Sequence, residues 1–295
     1  MKEIRVNFAP MLKRLEVYAK KQLISSGFTG QYATTFKGRG LEFEGYRRFS
    51  PMEDARLIDW LASVRANQLV IREFVQERQL QILFVFDVSS SMLFASTEKL
   101  KCEYAAEFIG AMAFAIINGG DAAGLLMFTD KVVHQLPPSM GPRQFYLIAR
   151  SLQNPKLYEG KRDFVAMLKW INNFVKRNTT VVIVSDFLGT HGEWLKELRI
   201  AGQKFDLIGV MIHDPHDITL PDVGQVVISD PYSMKEMLID TGKIKKEFER
   251  NAKSQMDEVQ DGFKKSNADL VSLTTDKEFV DPIKSFFERR KSRWR

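Results

Sequence analysis

The sequence predicts an α/β protein, in which a doubly wound, mostly parallel sheet follows a smaller β-rich subdomain. From residue 79 onward, short runs rich in β-branched and aromatic residues alternate with segments whose apolar residues recur at helical spacing. This alternation is typical of a parallel sheet covered by helices on both faces. Between residues 25 and 78, five glycines divide the chain into short segments that are typical of turns and β-structure.

Five apolar runs have the length and composition of strands in such a sheet. They span residues 80–86, 123–128, 179–185, 205–212 and 269–273. The helices expected between and after them span residues 98–118, 142–152, 163–176, 192–203, 243–265 and 277–291. Gly119 and Gly120 follow the first of these helices, in keeping with the preference for glycine just after a helix. A short edge hairpin is expected at residues 130–136.

These elements divide the chain into three parts. Residues 1–24 have the pattern of an amphipathic helix, which we expect to pack on the protein or a partner; contact with a membrane surface is the alternative. Residues 25–78 form the β-rich subdomain, with a strand at 69–75. Residues 79–295 form the α/β domain, in which residues 224–242 are a small insertion of two short strands.

Charge and cysteine content narrow the function classes. The net charge is +6, and its excess lies in the run at residues 289–295, which we interpret as a solvated tail and not as a nucleic-acid site. One cysteine, Cys102, excludes an internal disulfide bond. We find neither a signal-peptide pattern nor an apolar run of the roughly 20 residues that span a bilayer. We therefore expect a cytoplasmic protein that has no nucleic-acid partner.

Two strand ends carry the residues that point to a binding site. The strand at 80–86 leads into Asp87-Val88-Ser89-Ser90-Ser91, and the strand at 179–185 leads into Asp186. In open α/β sheets, ligands bind where the carboxyl ends of the strands meet. Carboxylate and hydroxyl oxygens are ligands that suit Mg²⁺ or Mn²⁺. Because serine oxygens are neutral, such a cation stays electrophilic, and a carboxylate of a partner protein can replace one of its waters.

The pattern Asp87-x-Ser89-x-Ser91 with a later aspartate, Asp186, resembles the metal-ion-dependent adhesion site of von Willebrand factor A-like domains. In those domains the motif continues with a threonine. The resemblance implies a Rossmann-like fold and a cation held at the sheet edge for binding to a partner protein.

An upstream motif narrows this resemblance to one family. It is carried by Glu42, Phe43, Arg47, Phe49, Pro51, Asp54, Arg56, Ile58, Asp59, Trp60, Arg65 and Leu69. Directly before a von Willebrand-like domain, these residues resemble the bacterial family called domain of unknown function 58. Met52 and Glu53 depart from it, since the family usually has glycine and often has aspartate there. The resemblance implies a non-enzymatic adaptor that works with a MoxR-type AAA+ ATPase in chaperone-like maturation of client proteins.

Arg162 is the largest departure from the family pattern. Family members often read Gly-x-Thr-Asp-Leu before the third helix, and Arg162 stands at the threonine position of the matching stretch 160–164. Three interpretations stay open: Arg162 replaces the cation beside Asp87 and Asp186, Asp163 helps to hold the cation, or Arg162 turns outward. The ligands that we predict for Mg²⁺ or Mn²⁺ are Asp87, Ser89, Ser91, Asp186 and Asp163.

The charged segment at residues 47–65 surrounds two aromatic residues, Phe49 and Trp60. We favour an ion-pair and aromatic cluster that docks the subdomain onto the sheet, and a partner-binding face is the alternative.

A divalent-metal-dependent hydrolase of the phosphoesterase type is the alternative function. The sequence argues against it, because a second metal site and a general base are not evident. His213 and His216 flank a proline-containing turn, which we interpret as a loop after a strand. Phosphatase turnover that depends on Asp87 and on Mg²⁺ or Mn²⁺ would identify such an enzyme.

Overall fold

A computed structural model describes residues 41–50, 53–76, 80–190, 193–230, 232 and 235–293. The chain separates into two compact units, one within Gln31–Gln79 and the other from Leu80 onward. The helix predicted at residues 1–24 lies outside the described residues. Within the described part of the chain, no helix is both long and apolar enough to cross a membrane.

The smaller unit pairs two antiparallel strands, β1 (Leu41–Arg48) and β2 (Val70–Gln76), around a short helix, α1 (Trp60–Ala66). The carboxylate of Asp59 caps α1 by accepting a hydrogen bond from the backbone N–H of Ala62. The sequence did not predict α1, because its apolar residues do not form a buried stripe: Trp60 is 65% exposed. The interpretation that the charged segment docks this unit onto the sheet stays a prediction.

The larger unit is built on a six-stranded sheet. Its strands in chain order are β3 (Gln81–Asp87), β4 (Ala122–Phe128), β5 (Val132–Ser139), β6 (Thr179–Ser185), β7 (Asp206–His213) and β10 (Asp269–Thr274). They lie side by side in the order β10-β7-β6-β3-β4-β5, and all neighbours are parallel except the β4–β5 pair. The predicted α/β class with a mostly parallel sheet is confirmed.

Helices cover both faces of this sheet. They are α2 (Lys101–Asn118), α3 (Pro142–Leu152), α4 (Phe164–Phe174), α5 (Trp194–Lys204), α6 (Pro215–Ile218), α7 (Thr241–Lys265) and α8 (Val280–Arg293). A separate hairpin, β8 (Gln225–Ser229) with β9 (Glu236–Asp240), forms the insertion before α7.

Alternate side chains of each strand enter different cores. On β3, Phe84 and Phe86 pack with residues of α2, α3 and α8, whereas Leu83 and Val85 pack with residues of α4, α5 and α7. Two-residue alternation into two apolar layers is what a sheet covered on both faces requires. The central strands β3, β4 and β6 are almost completely buried, which leaves the ends of these strands for binding chemistry.

Strand order fixes where that chemistry lies. The chain winds outward from β3 to β4 and β5, then crosses back to β6 and winds the other way through β7 and β10. The direction reverses between β3 and β6, and a crevice opens at the carboxyl ends of the strands at such a reversal. Asp87 ends β3, and Asp186 directly follows β6.

Helix α5 packs so closely against the end of α7 that one added methyl group, at Gly202, is expected to destabilise the fold. A Cβ atom added at Gly202 would lie 1.8 Å from the carbonyl oxygen of Ser266, a contact that backbone atoms cannot relieve without moving. We expect Gly202→Ala to lower the free energy of unfolding by about 3 kcal/mol or more. Urea unfolding followed by circular dichroism measures the loss. Gly45→Ala, where a Cβ has open space, is the control.

Candidate functional site

Two buried carboxylates occupy the crevice at the strand reversal. Asp87 is 0% exposed and Asp186 is 1% exposed. The main chain and neighbouring hydroxyls hold both in place: the backbone N–H of Ser89 and the hydroxyl of Ser185 donate to Asp87, at 3.0 and 2.6 Å. The backbone N–H of Leu188 donates to Asp186 at 3.1 Å. The predicted pair at the strand ends is therefore brought together at one point.

The serine loop after β3 folds back over these carboxylates. The hydroxyls of Ser89 and Ser91 lie 3.3 Å apart, so both point to the same side as the two-residue spacing predicted. Ser90 ties this loop to the segment before α4: its backbone N–H donates to the carbonyl of Gly160, and its hydroxyl accepts from the Gly160 N–H. Gly160 has a φ of 143°, a backbone conformation that favours glycine.

Arg162 turns inward and places its guanidinium among the predicted metal ligands. Its Nη1 donates to Asp186 at 2.5 Å, to Asp87 at 3.3 Å and to the Ser91 hydroxyl at 3.5 Å. The ring of Phe164 lies under the guanidinium, 5.2 Å away. This geometry corresponds to the first of the three interpretations that the sequence left open, in which Arg162 replaces the cation beside Asp87 and Asp186.

Lys101 supplies a second buried positive charge that the sequence analysis missed. It opens α2, is 1% exposed, and its Nζ lies 2.9 Å from Asp186 and 3.0 Å from Asp217. A lysine usually reaches solvent, and one at a helix N-terminus opposes the helix dipole. That unfavourable position, at the start of a mostly apolar helix, is the sequence signal from which the pairing of Lys101 could have been inferred.

Burial and pairing shift the pKa values of the cluster in different directions. Burial raises the pKa of Asp87, although Arg162 acts against this. Burial also acts to raise the pKa of Asp186, but Lys101 and Arg162 outweigh it and lower that pKa to about 2. Burial acts to lower the pKa of Lys101, and its two carboxylate partners raise it above the usual value. Asp186 is thus the ionised centre on which both cations converge.

Asp163, the fifth predicted ligand, lies at the start of a helix. Its carboxylate accepts a hydrogen bond from the backbone N–H of Ala166 at 2.9 Å and caps the N-terminus of α4. The Asp163 side chain is exposed, unlike the two buried aspartates. The physical reason is local, because an aspartate three residues before a free helical N–H is a strong N-cap. The structure therefore does not place Asp163 with the other predicted ligands.

The arrangement does not fit a divalent cation at the predicted position. One nitrogen of Arg162 already lies within hydrogen-bond distance of an oxygen of Asp87, Asp186 and Ser91. A cation placed among those oxygens would lie against a positive guanidinium, and like charges at such distances repel strongly in a buried site. Among the described residues, no group of three or more histidine, cysteine or acidic side chains is arranged to hold a metal.

The hairpin β8–β9 reaches the crevice through its turn. The hydroxyl of Tyr232 lies 3.5 Å from the Ser89 hydroxyl. No sequence pattern predicted this contact, because 143 residues separate the two side chains.

Two other titratable side chains, Cys102 and His213, are buried. Cys102 is fully buried in α2, and burial raises the pKa of its thiol to about 12. His213 ends β7, and its Nε2 has no hydrogen-bond partner in the described part of the chain. Asp214 caps α6, so the segment predicted as a loop after the strand is a short helix that contains His216.

A known protein family matches the part of the chain that contains these site residues. The family model described as protein of unknown function DUF58 matches residues 45–258, which is more than half of the chain. The chain belongs to the DUF58 family. The resemblance drawn from the upstream motif and the serine loop is thereby confirmed at the level of the family.

Relatives of this DUF58 protein are found in mycobacteria. Uncharacterized proteins of Mycobacterium tuberculosis and Mycobacterium bovis are each 28% identical over 287 residues, covering 96% of this chain and 90% of theirs. Among solved structures, an aerotolerance-related membrane protein from Bacteroides fragilis matches with a TM-score of 0.45 and 11% identity, covering 72% of this chain and 99% of that one. The conserved hypothetical protein BatB from Bacteroides thetaiotaomicron matches with a TM-score of 0.45 and 13% identity, covering 73% and 98%.

Removing the guanidinium is expected to turn the DUF58 crevice into a cation site. In Arg162→Thr the carboxylates of Asp87 and Asp186 lose one positive partner, and a hydroxyl stands at the position where the family often has threonine. We expect Mn²⁺ to bind this variant at least about tenfold more tightly than the wild type, since the competing charge is gone. Isothermal titration calorimetry measures the affinity, and Arg162→Thr with Asp87→Asn is the control. Equal affinity in the wild type would contradict the geometry.

The buried His213 is expected to make the fold sensitive to mild acid. Burial lowers its pKa from 6.5 to about 4, so below pH 6.5 the unfolded chain binds a proton that the folded chain does not. The free energy of unfolding should therefore fall between pH 6.5 and 4, by up to about 1.4 kcal/mol per pH unit. Urea unfolding at several pH values measures this slope. His213→Gln should flatten it, and the exposed His216→Gln is the control.

Proposed function

We propose that this DUF58 protein is a non-enzymatic protein-interaction module, in which Arg162 takes the role of the cation and binds an acidic side chain of a partner. One observation carries the proposal. All hydrogen bonds of Arg162 to the described residues use Nη1, which leaves Nη2 and Nε for a ligand.

The remaining nitrogens suit a carboxylate. Nη2 and Nε of a guanidinium form a planar fork that matches the two oxygens of a carboxylate. The three hydrogen bonds of Nη1 and the ring of Phe164 fix the fork in advance, so a ligand loses less conformational entropy on binding. A metal ion in an adhesion site offers one open coordination position, whereas this arginine offers two parallel hydrogen bonds.

The hairpin beside the crevice adds an apolar contact surface. Four of its side chains are large and exposed, and we call them the hairpin surface: Val227, Ile228, Met237 and Leu238 are 60%, 46%, 63% and 64% exposed. Val227 lies opposite Leu238, and Ile228 lies opposite Met237, so both faces of the hairpin are apolar. Clustered exposed apolar side chains commonly mark a protein-binding site, and the hydroxyl of Tyr232 in the turn of this hairpin lies 3.5 Å from the Ser89 hydroxyl.

The contacts of the loop serines favour binding over catalysis. Within the described residues, Ser89 and Ser91 hydrogen-bond to each other, to Tyr232 and to Arg162 and not to a histidine. A serine nucleophile needs a base within hydrogen-bond reach. This supports the proposal that the protein is not an enzyme.

The resemblance to MoxR-associated members of the family supports a finer proposal for the partner. On that basis the partner is a MoxR-type AAA+ ATPase in the cytoplasm, and the two proteins act together in chaperone-like maturation of client proteins. If Arg162 binds the partner, the complex does not require a divalent cation at this crevice. The ATPase itself still needs Mg²⁺ for its nucleotide.

Substitution of Arg162 is expected to weaken this complex. Arg162→Lys keeps the positive charge beside Asp87 and Asp186 but removes the fork, and we expect at least about tenfold weaker binding to a purified MoxR-type ATPase. Surface plasmon resonance with the ATPase immobilised measures the affinity, and the exposed Arg150→Lys on α3 is the control. Unchanged affinity in Arg162→Lys would contradict recognition through the fork.

The hairpin surface is expected to contribute to binding of the ATPase without contributing to the stability of the fold. In Val227→Ser with Leu238→Ser, two exposed side chains on one face lose their apolar surface, so the melting temperature should change little. Binding to the same ATPase should weaken by about tenfold. Ile200→Ser, at an apolar side chain of α5 that is 43% exposed, is the matched control. A double variant that binds as tightly as the wild type would remove the hairpin from the interface.

A further inference from the structure

Arg162 contacts Asp186 through one nitrogen and one oxygen. Its Nη1 donates to Oδ1 of Asp186 at 2.5 Å, and the same nitrogen also serves Asp87 and Ser91. Arginine and carboxylate side chains frequently meet as a bidentate pair with two parallel hydrogen bonds. A bidentate pair that keeps Nη1 on Oδ1 would place Nη2 on Oδ2. Of these two bonds, the described contacts between Arg162 and Asp186 include only the first.

The second oxygen of Asp186 is held by Lys101. Nζ of Lys101 lies 2.9 Å from Oδ2, whereas Nη1 of Arg162 and the backbone N–H of Leu188 donate to Oδ1. Each oxygen of this carboxylate therefore has its own cationic partner. A further nitrogen of Arg162 could reach Oδ2 only beside the ammonium group, where two positive charges repel each other in a buried site.

Lys101 is itself fixed from the other side. Its Nζ lies 3.0 Å from Oδ2 of Asp217, and that oxygen also accepts a hydrogen bond from the backbone N–H of Asp214 in the cap of α6. The ring of Phe94 lies 5.8 Å from Nζ. Because Lys101 is 1% exposed and held between two carboxylates, its ammonium group has little freedom to leave Asp186.

Asp87 satisfies its two oxygens in a different way. Its Oδ1 accepts a hydrogen bond from the backbone N–H of Ser89 at 3.0 Å, and its Oδ2 accepts one from the hydroxyl of Ser185 at 2.6 Å. These neutral donors do for Asp87 what Lys101 does for Asp186. Asp186 is thus the carboxylate whose second oxygen depends on a lysine.

We propose that Lys101 is a positioning residue for recognition by Arg162. By occupying Oδ2 of Asp186, it prevents a bidentate Arg162–Asp186 pair and keeps Nη2 and Nε available to the carboxylate of a partner. Without the ammonium group, Nη2 turns to Oδ2, and the fork loses one of its two donors. The inference rests on the function proposed above and adds the residue that keeps the fork from closing on the protein's own carboxylate.

A variant that removes one charge of each sign tests this role. Lys101→Met with Asp217→Asn leaves the net charge of the cluster unchanged, and Asp217→Asn alone, in which Lys101 stays on Asp186, is the matched control. Melting temperatures establish that both variants fold. A crystal structure of the double variant should show Nη2 of Arg162 about 3 Å from Oδ2 of Asp186. Surface plasmon resonance with the MoxR-type ATPase immobilised should show at least about tenfold weaker binding than in the control.

A second pair of variants separates positioning from the loss of a positive charge. In Asp186→Asn an amide nitrogen replaces one carboxylate oxygen, and this nitrogen donates hydrogen bonds but cannot accept one from Nη2. In the Asp186→Asn background, Lys101→Met should therefore change the affinity by less than about twofold. A purely electrostatic role of Lys101 would weaken binding in both backgrounds.

The proposal is overturned if the guanidinium of Lys101→Met with Asp217→Asn keeps its wild-type position, or if Lys101→Met weakens binding equally in both backgrounds. Should the first double variant not fold, the second pair decides alone. A wild type that does not bind the ATPase, or an Arg162→Lys variant that binds it equally tightly, contradicts the proposed function instead. The crystal structure then still decides whether Lys101 holds the guanidinium in place.

Discussion

Two carboxylates that end neighbouring parallel strands must be compensated where they lie, and this constraint organises the larger unit. Asp87 and Asp186 are fully buried by the same layers that bury the strands. An unpaired charge in such a place costs several kcal/mol, and removing one partner of a buried pair commonly costs about 3–5 kcal/mol. Lys101 reaches Asp186 from α2 and Arg162 reaches both carboxylates from the segment before α4, so two helices are positioned by one electrostatic requirement.

The source of the compensating charge determines what the crevice can do. A bound cation would make the site depend on metal supply and would leave a coordination position for a partner. A guanidinium is permanently charged, is tethered to the chain, and carries further donors on Nη2 and Nε. In the proposed function, the same strand ends recognise an acidic group through the guanidinium in place of a metal ion. The proposed recognition also includes the exposed apolar side chains of the hairpin surface, whose turn carries Tyr232.

Much of this could be predicted from the sequence, because the main signals are local. Strands β3 and β6 are short apolar runs, and the motif beginning at Asp87 follows the first of them directly. The features that the sequence did not predict depend on contacts between residues far apart in the chain, or on two local roles that suit the same side chain. Lys101 looks like a solvent-facing residue until its pairing with Asp186 is seen, and Tyr232 is 143 residues from Ser89. Asp163 was predicted as a ligand because Arg162 stands at the usual threonine position, whereas its carboxylate accepts a local hydrogen bond from the backbone N–H of Ala166.

Manganese anomalous diffraction tests the central claim most directly, because Mn²⁺ scatters anomalously and its position is read without reference to activity. Crystals of the wild-type chain grown with Mn²⁺ should show the Arg162 guanidinium between Asp87 and Asp186, with no anomalous peak within coordination distance of either carboxylate. An anomalous peak bounded by Asp87, Ser89 and Ser91, with the Arg162 side chain turned out toward solvent, would contradict the account.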